Sequence, residues 1–360
     1  MSDSWGVGIY ETRTGAPALD VTAFVSAGSS WESRLNGRGS GGHTLNLHNS
    51  GIPRAMVQEL VTGNKYTIAQ LWGDHVAFAG VIQRARYRHK FRTLQIDSQE
   101  LRGAYMNARM LYGVGNYETT TNVLKVDDKS RSGATRAVIE TALPNSDWTL
   151  PIDLPADGSG GFSAEWFHRE RLTWEDHLAQ IEADGCEIAF IPYLTDDGFL
   201  RWDTKVMSKI ALGDGPDLNI TAPSSTVLDL EVVQDWSRAL TGVLGFGQAN
   251  SDAVRAAAMY DPGETPFSVR DLFVNYPDIT SQTRLQAAVD KTFAERLSST
   301  EQWVYGLQIW PDGPAKAGVG RRQNLWSYGD PFIADGKHEK RVLAAKGDMG
   351  FTVTVEVQNG

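Results

Sequence analysis

Asp229-Leu-Glu-Val-Val-Gln-Asp-Trp-Ser-Arg-Ala-Leu-Thr-Gly-Val-Leu-Gly-Phe-Gly247 reads as a strand that runs into a glycine-marked turn. A helix is expected next, over 281–298, with Leu285, Val289, Phe293 and Leu297 forming one apolar stripe that must pack on a sheet. A strand follows in 302–310, carrying Trp303, Val304, Tyr305 and Leu307. Beyond the turn Tyr328-Gly-Asp-Pro-Phe332, Lys340-Arg-Val-Leu-Ala-Ala-Lys346 and Phe351-Thr-Val-Thr-Val-Glu-Val357 read as a closing antiparallel pair, since the latter alternates with the period of a strand. Strand, helix and strands in that order predict an α+β, mainly β protein.

Upstream, residues 1–112 read as a domain of strands. Val21-Thr-Ala-Phe-Val25 is short and β-branched, Gly37–Gly42 reads as a loop, and 43–48 alternates. Lys65–Trp72 and His75–Ile82 flank Gly73-Asp74, a hairpin signal. Basic residues at Arg84, Arg86, Arg88, Lys90 and Arg92 would fall on one side of a strand that pairs with 94–97, giving a candidate anion-binding stripe. The bland alternative is the wet side of a hairpin whose acidic partners come from a neighbour.

Residues 113–228 differ in texture. A helix is expected over 130–143, where Pro144 stops it, and a Pro/Gly/Asp-rich loop over 151–161. Leu172–Gly185 reads as a second helix: Thr173 and Asp176 form a capping box, Trp174, Leu178 and Ile181 form the buried stripe, and Gly185 supplies the left-handed end. A hairpin then joins 186–194 to 199–203 through Thr195-Asp-Asp-Gly198. The expected division is an N-terminal β domain at 1–112, an α+β insertion at 113–228, and a C-terminal β domain with one packed helix at 229–360.

Composition narrows the function. The net charge of −10 argues against a nucleic-acid reader, which presents a basic face, but not against a surface past which DNA slides. Cys186 is the single cysteine, so no intrachain disulfide forms. Met1-Ser-Asp-Ser-Trp5 has no basic or apolar leader region, and no apolar run approaches a membrane span, so synthesis in a cytoplasm without membrane insertion is expected.

No catalytic set emerges. Gly245-Phe-Gly247 lacks the third glycine of a dinucleotide fingerprint, with Asn250 at that place. Of the seven histidines, only His168 and His177 are worth pairing, and no cysteine stands near them, so no metal or other cofactor is expected. Asp196 and Asp197 sit in a turn that favours Asp for backbone hydrogen bonding. Cys186 lacks a basic neighbour to activate it.

Two segments and the ending together resemble a known family. Gly80-Val-Ile-Gln-Arg-Ala-Arg-Tyr87 followed by Thr93-Leu-Gln-Ile-Asp-Ser-Gln-Glu-Leu101 and Tyr105–Tyr112 resembles the N-terminal domain of siphophage tail hub proteins, the minor tail proteins of long-tailed phages. The helix ending at Gly185 with its acidic-Gly hairpin, and the strand–helix–strand order of 229–358, resemble the rest. The resemblance implies two antiparallel β-barrel-like domains around the α+β insertion. It implies a homotrimeric ring, so that three chains present six similar units between a hexameric tube and a threefold tip. Its partners would be further copies of itself, the distal tail protein, the tape-measure protein and other tail-tip proteins, with DNA only as passing cargo through a lumen lined by acidic groups. The setting would be the virion tail tip, in a phage of a Gram-positive or actinobacterial host. The competing reading is a carbohydrate- or receptor-binding tail-tip protein, in which Trp148, Trp166 and Trp326 stack on wall glycans. A wall-degrading enzyme ranks last, because no catalytic residues can be named for it.

Overall fold

Alternation of apolar and polar residues along the first hundred residues produces strands with one buried side. Val7 and Ile9, Tyr66 and Ile68, and Leu94 and Ile96 all turn inward. In the computed structural model, residues 4–48, 50–113, 123–143, 149–248, 255–260, 268–277, 279, 281–294, 296, 300–310 and 313–359 are described. They form two compact units, one of residues 1–230 and 304–360 and the other of residues 231–303.

The first unit is organised by a large sheet. Its hydrogen-bonded order is Pro17–Asp20, Trp5–Glu11, Tyr66–Trp72, His75–Arg88, Thr93–Glu100, Ser40–Asn46, Ser30–Arg34, Gly336–Gly347, Thr352–Asn359, Thr300–Gln308 and Val227–Asp235, the unit boundaries falling within the last two strands, so that 300–303 and 231–235 count with the second unit. The first nine of these strands pair antiparallel with their neighbours. Arg322–Ser327 adds to Gly336–Gly347 off this path and pairs in parallel with Asp214–Asn219. The protein is therefore mainly β, as the periodicity implies. The two expected barrels are not formed: among the described residues the path is open at both ends. Strands from the two ends of the chain instead become neighbours, Ala345 opposite Ser33 and Gly347 opposite Trp31.

Smaller expectations are corrected too. Residues 22–24 form a 3-10 turn where a strand was expected. The 40–42 part of the glycine-rich stretch is already strand.

Segment 123–207 shares its core with that sheet. Val126, Val138, Ile139, Trp166, Trp174, Leu178, Ile181 and Trp202 bury together with Tyr10, Ala69, Val76 and Leu101. The helices run Arg131–Ala142 and Trp174–Ala183. Pro144, the expected stop of the first, lies outside the described residues. The second is capped as its sequence requires: the Thr173 Oγ1 accepts from the Asp176 N–H at 3.2 Å, and an Asp176 carboxylate oxygen accepts from the Thr173 N–H at 2.7 Å. Gly185 takes φ +97°, open to glycine and strained for other residues. The acidic-Gly hairpin closes with Leu194 opposite Leu200.

The second unit is a helix on a three-stranded sheet. Gly242–Phe246 lies between Ala256–Tyr260, antiparallel, and Asp271–Asn275, parallel. Helix Gln282–Ala294 buries Leu285, Val289 and Phe293 against Leu240, Val243 and Ala257. Leu297, the expected fourth member of the stripe, lies outside the described residues. A Cβ at Gly245 would stand 2.4 Å from the Val289 Cγ2, so the glycine lets the helix approach the strand.

Candidate assembly surfaces

Arg84, Arg86 and Arg88 of the basic cluster lie on His75–Arg88, the longest strand among the described residues. Its first half, His75–Val81, pairs with Tyr66–Trp72 and its second half, Gly80–Arg88, with Thr93–Glu100, so the two partners overlap only at Gly80 and Val81. Past a bulge between Ile82 and Arg84, the strand bonds only to Thr93–Glu100, with Arg84 opposite Asp97, Arg86 opposite Gln95 and Arg88 opposite Thr93. Among the described residues, 84–88 thus have one free hydrogen-bonding edge.

Arg84, Arg86 and Arg88 share one exposed face, as the alternation predicts. Lys90 and Arg92 do not extend it in the same strand. His89–Phe91 is a 3-10 turn and Arg92 takes φ +48°, so both belong to the hairpin's tip. Both remain exposed, beside Tyr87 and Phe91. Among the described residues no ion pair holds Arg84, Arg86, Arg88 or Arg92. The nearest carboxylate across the ladder, Asp97, accepts from the Gln95 side chain at 3.4 Å.

A second edge lies at the far end of the sheet order, on Val227–Asp235. Glu231, Val233 and Asp235 alternate outward and are exposed. Ser237, through its hydroxyl and its backbone N–H, holds the Asp235 carboxyl below the usual carboxylate range; the N–H donates at 2.7 Å. The same period-two rule that flags the arginines flags these acids, but a strand of alternating Glu, Val and Asp reads simply as a solvated face.

The aromatic candidates separate. Trp148 lies outside the described residues. Trp166 sits on Phe162–Phe167 and is buried; its indole N–H donates to Gln180 at 2.5 Å and its ring meets His177 edge-on at 5.0 Å. No face of it is open to a sugar. Trp326 is half-buried and lies nearly parallel to the exposed Tyr328, with ring centroids 6.2 Å apart. Asp217 accepts from the Asn324 side chain at 2.8 Å beside them. Sequence pattern alone does not separate the buried Trp166 from the half-buried Trp326, since each lies on a short strand that mixes polar and apolar residues.

The most perturbed titratable groups lie inside the first unit. Burial pushes the Glu100 carboxyl up to about 7, although it accepts from the Ser33 hydroxyl at 2.7 Å and from the Gly39 N–H at 2.6 Å. Burial pushes His43 down to about 4, against a contact with the Gln70 side chain at 3.3 Å. Burial works against the charge of Arg102, but bonds to Glu182 and Glu175 outweigh it and hold its pKa above the ordinary value. These groups tie strands and helices together. His168 and His177 face different aromatic partners, Tyr112 and Trp166. Among the described residues no three His, Cys, Asp or Glu side chains cluster as a metal site, and no helix is long and apolar enough to cross a membrane.

No protein-family model matches the chain, and no curated protein sequence does. Solved structures do. A tail protein from Neisseria meningitidis is 15% identical with a TM-score of 0.60, the match covering 99% of this chain and 97% of that one. A 43 kDa prophage tail protein from Shewanella oneidensis is 10% identical with a TM-score of 0.61, covering 98% of each. A prophage tail protein from Listeria monocytogenes is 9% identical with a TM-score of 0.55, covering 99% and 94%. The three source organisms do not single out a type of host. Over nearly its whole length, this chain has the fold of these tail proteins.

Proposed function

We propose that this chain is a structural protein of a phage tail tip. Three copies close into a hub ring that joins the tail tube to distal tip components and lets DNA pass. The observation that carries the reading is the end-to-end likeness of this fold to tail proteins. The ring's partners are its own copies, the distal tail protein, the tape-measure protein and other tail-tip proteins. The protein is made in the host cytoplasm and acts in the virion, without catalysis or cofactor.

The physical demands of such a ring suit the chain. A closed ring needs head-to-tail contacts between different surfaces of identical subunits. Among the described residues, 84–88 and Val227–Asp235 are sheet edges with open backbone groups that suit such contacts. A conduit for DNA must avoid gripping phosphate, and a net charge of −10 is consistent with that.

Light scattering over a concentration series tests the reading. The expected particle is a trimer, near three times 39.5 kDa. A monomer at every concentration that also retains wall polysaccharide in a pull-down would replace the hub with the glycan-binding reading. For that reading the parallel Trp326 and Tyr328 rings are the residues in place.

A further inference from the structure

We infer that the free edge of residues 84–88 in one copy pairs with the free edge of residues 231–235 in the next. The inference rests on the ring reading above and names the two surfaces that close it.

Among the described residues, each stretch is strand with hydrogen-bonding groups left open on one side, which a folded chain must either block or use. Their charges match in position as well as sign. Arg84 and Arg88 are four residues apart, as are Glu231 and Asp235, and at the rise of a strand both separations are about 13 Å. In the register that sets each arginine against a carboxylate, Arg86 meets Val233, over which its methylenes can lie.

The same charges forbid the simplest mistakes. Two basic edges side by side would set arginine against arginine, and two acidic edges carboxylate against carboxylate; like charges directly opposite destabilise a ladder. Each edge therefore rejects its own kind and accepts the other. The resulting contact is head-to-tail, the type that closes rings.

A nucleic acid is the other polyion that three arginines attract. It is less favoured here. Taking the five positive charges of 84–92 from a net −10 leaves −15 on the rest of the chain, which repels phosphate around a narrow basic edge. The acidic edge of matching spacing has no role in that reading.

The test is a charge exchange on the full chain, read by light scattering or sedimentation, with circular dichroism to confirm that each variant is folded. R84E/R88E and E231R/D235R are each expected to weaken self-association by about tenfold or more. The four substitutions combined in one chain are expected to restore it, because the pairs are rebuilt with their signs reversed. If the wild type forms the trimer and R84E/R88E forms it equally well, the edges are not the interface, while the ring reading stands. Failure of the combined variant to regain assembly overturns the pairing as well. A wild type that never self-associates takes down the ring reading and the inference together. If R84E/R88E keeps full assembly but loses binding to a fluorescent DNA duplex, the hairpin is a nucleic-acid contact and the inference falls.

Discussion

Glu100 shows how one buried carboxyl can hold a sheet together and set its pH response. It accepts hydrogen bonds from Ser33, Gly39 and Arg34, drawing the 35–39 turn down onto the strands beside it. Burial still dominates, and the folded value of about 7 lies above the ordinary 4.5. A carboxyl raised in the folded state gives stability that is complete below pH 4.5 and is lost as pH rises through 7. Glu100→Gln is isosteric: its amide oxygen can accept from Gly39 and Arg34 while its NH2 donates to Ser33. The variant should lose this dependence and become more stable than wild type by roughly 2–3 kcal/mol at pH 8, with the two converging near pH 5. Urea unfolding at the two pH values checks it. Equal stability at pH 8 would mean that Glu100 is ionised in the fold at little cost.

At the scale of elements, the link between the sheet and the helical segment is ionic. Arg102 is buried at the end of the Thr93–Glu100 strand's continuation. Its Nε donates to Glu175 at 2.7 Å, and its terminal nitrogens donate to Glu182 at 2.9 and 2.5 Å and to the Ile188 carbonyl at 2.8 Å. Glu175, nearly as buried, would lose its inner partner in Arg102→Ala and keep only Arg38 at the rim. Breaking such a pair from one side costs roughly 3–5 kcal/mol. A denaturation midpoint that moves by less than a fifth of the wild-type value would show the cluster to be dispensable.

This scale also shows what the sequence made legible. The second helix of the middle segment is readable because capping and stripe coincide, Thr173 with Asp176 and Trp174 with Leu178 and Ile181, and the first because its apolar residues Val138 and Ala142, and Ile139 and Leu143, stand four apart. The hairpins at Gly73 and Gly198 were readable from turn chemistry. The strand expected at 21–25 was misread because β-branched residues also suit a short 3-10 turn, where Thr22 accepts from the Val7 N–H at 2.9 Å. The arginine stripe was half-readable: its alternation holds to Arg88, but Arg92 turns to φ +48° to make the tip, and nothing in the residue types marks that. Arg102, Glu175 and Glu182 escaped notice because 73 and 80 residues separate partners that only the fold brings together.

The whole molecule is stitched by its last strands. Gly336–Gly347 pairs on one side with Ser30–Arg34, and Thr352–Asn359 closes the other side. Trp5 and Trp31 donate to the carbonyls of Gly350 and Asp348, so the turn between the last two strands is also fastened to the first. A chain cut after residue 335 should therefore lose more than its tail. It is expected to unfold without a sharp transition and to aggregate through the bared Ser30–Arg34 edge. A cooperative melt of that fragment at the wild-type temperature would sink the idea that these strands hold the first unit together.

That stitching makes time a structural variable. Residue 34 leaves the ribosome some three hundred residues before its partner strand is made. At synthesis rates of about 5–20 residues per second, its edge waits roughly 15–60 seconds for Ala344. During that interval every nascent copy on a polysome carries the same open edge within reach of its neighbours. The hazard to the subunit is therefore greatest before the sheet is complete, and it ends only when Gly336–Gly347 takes its place beside Ser30–Arg34.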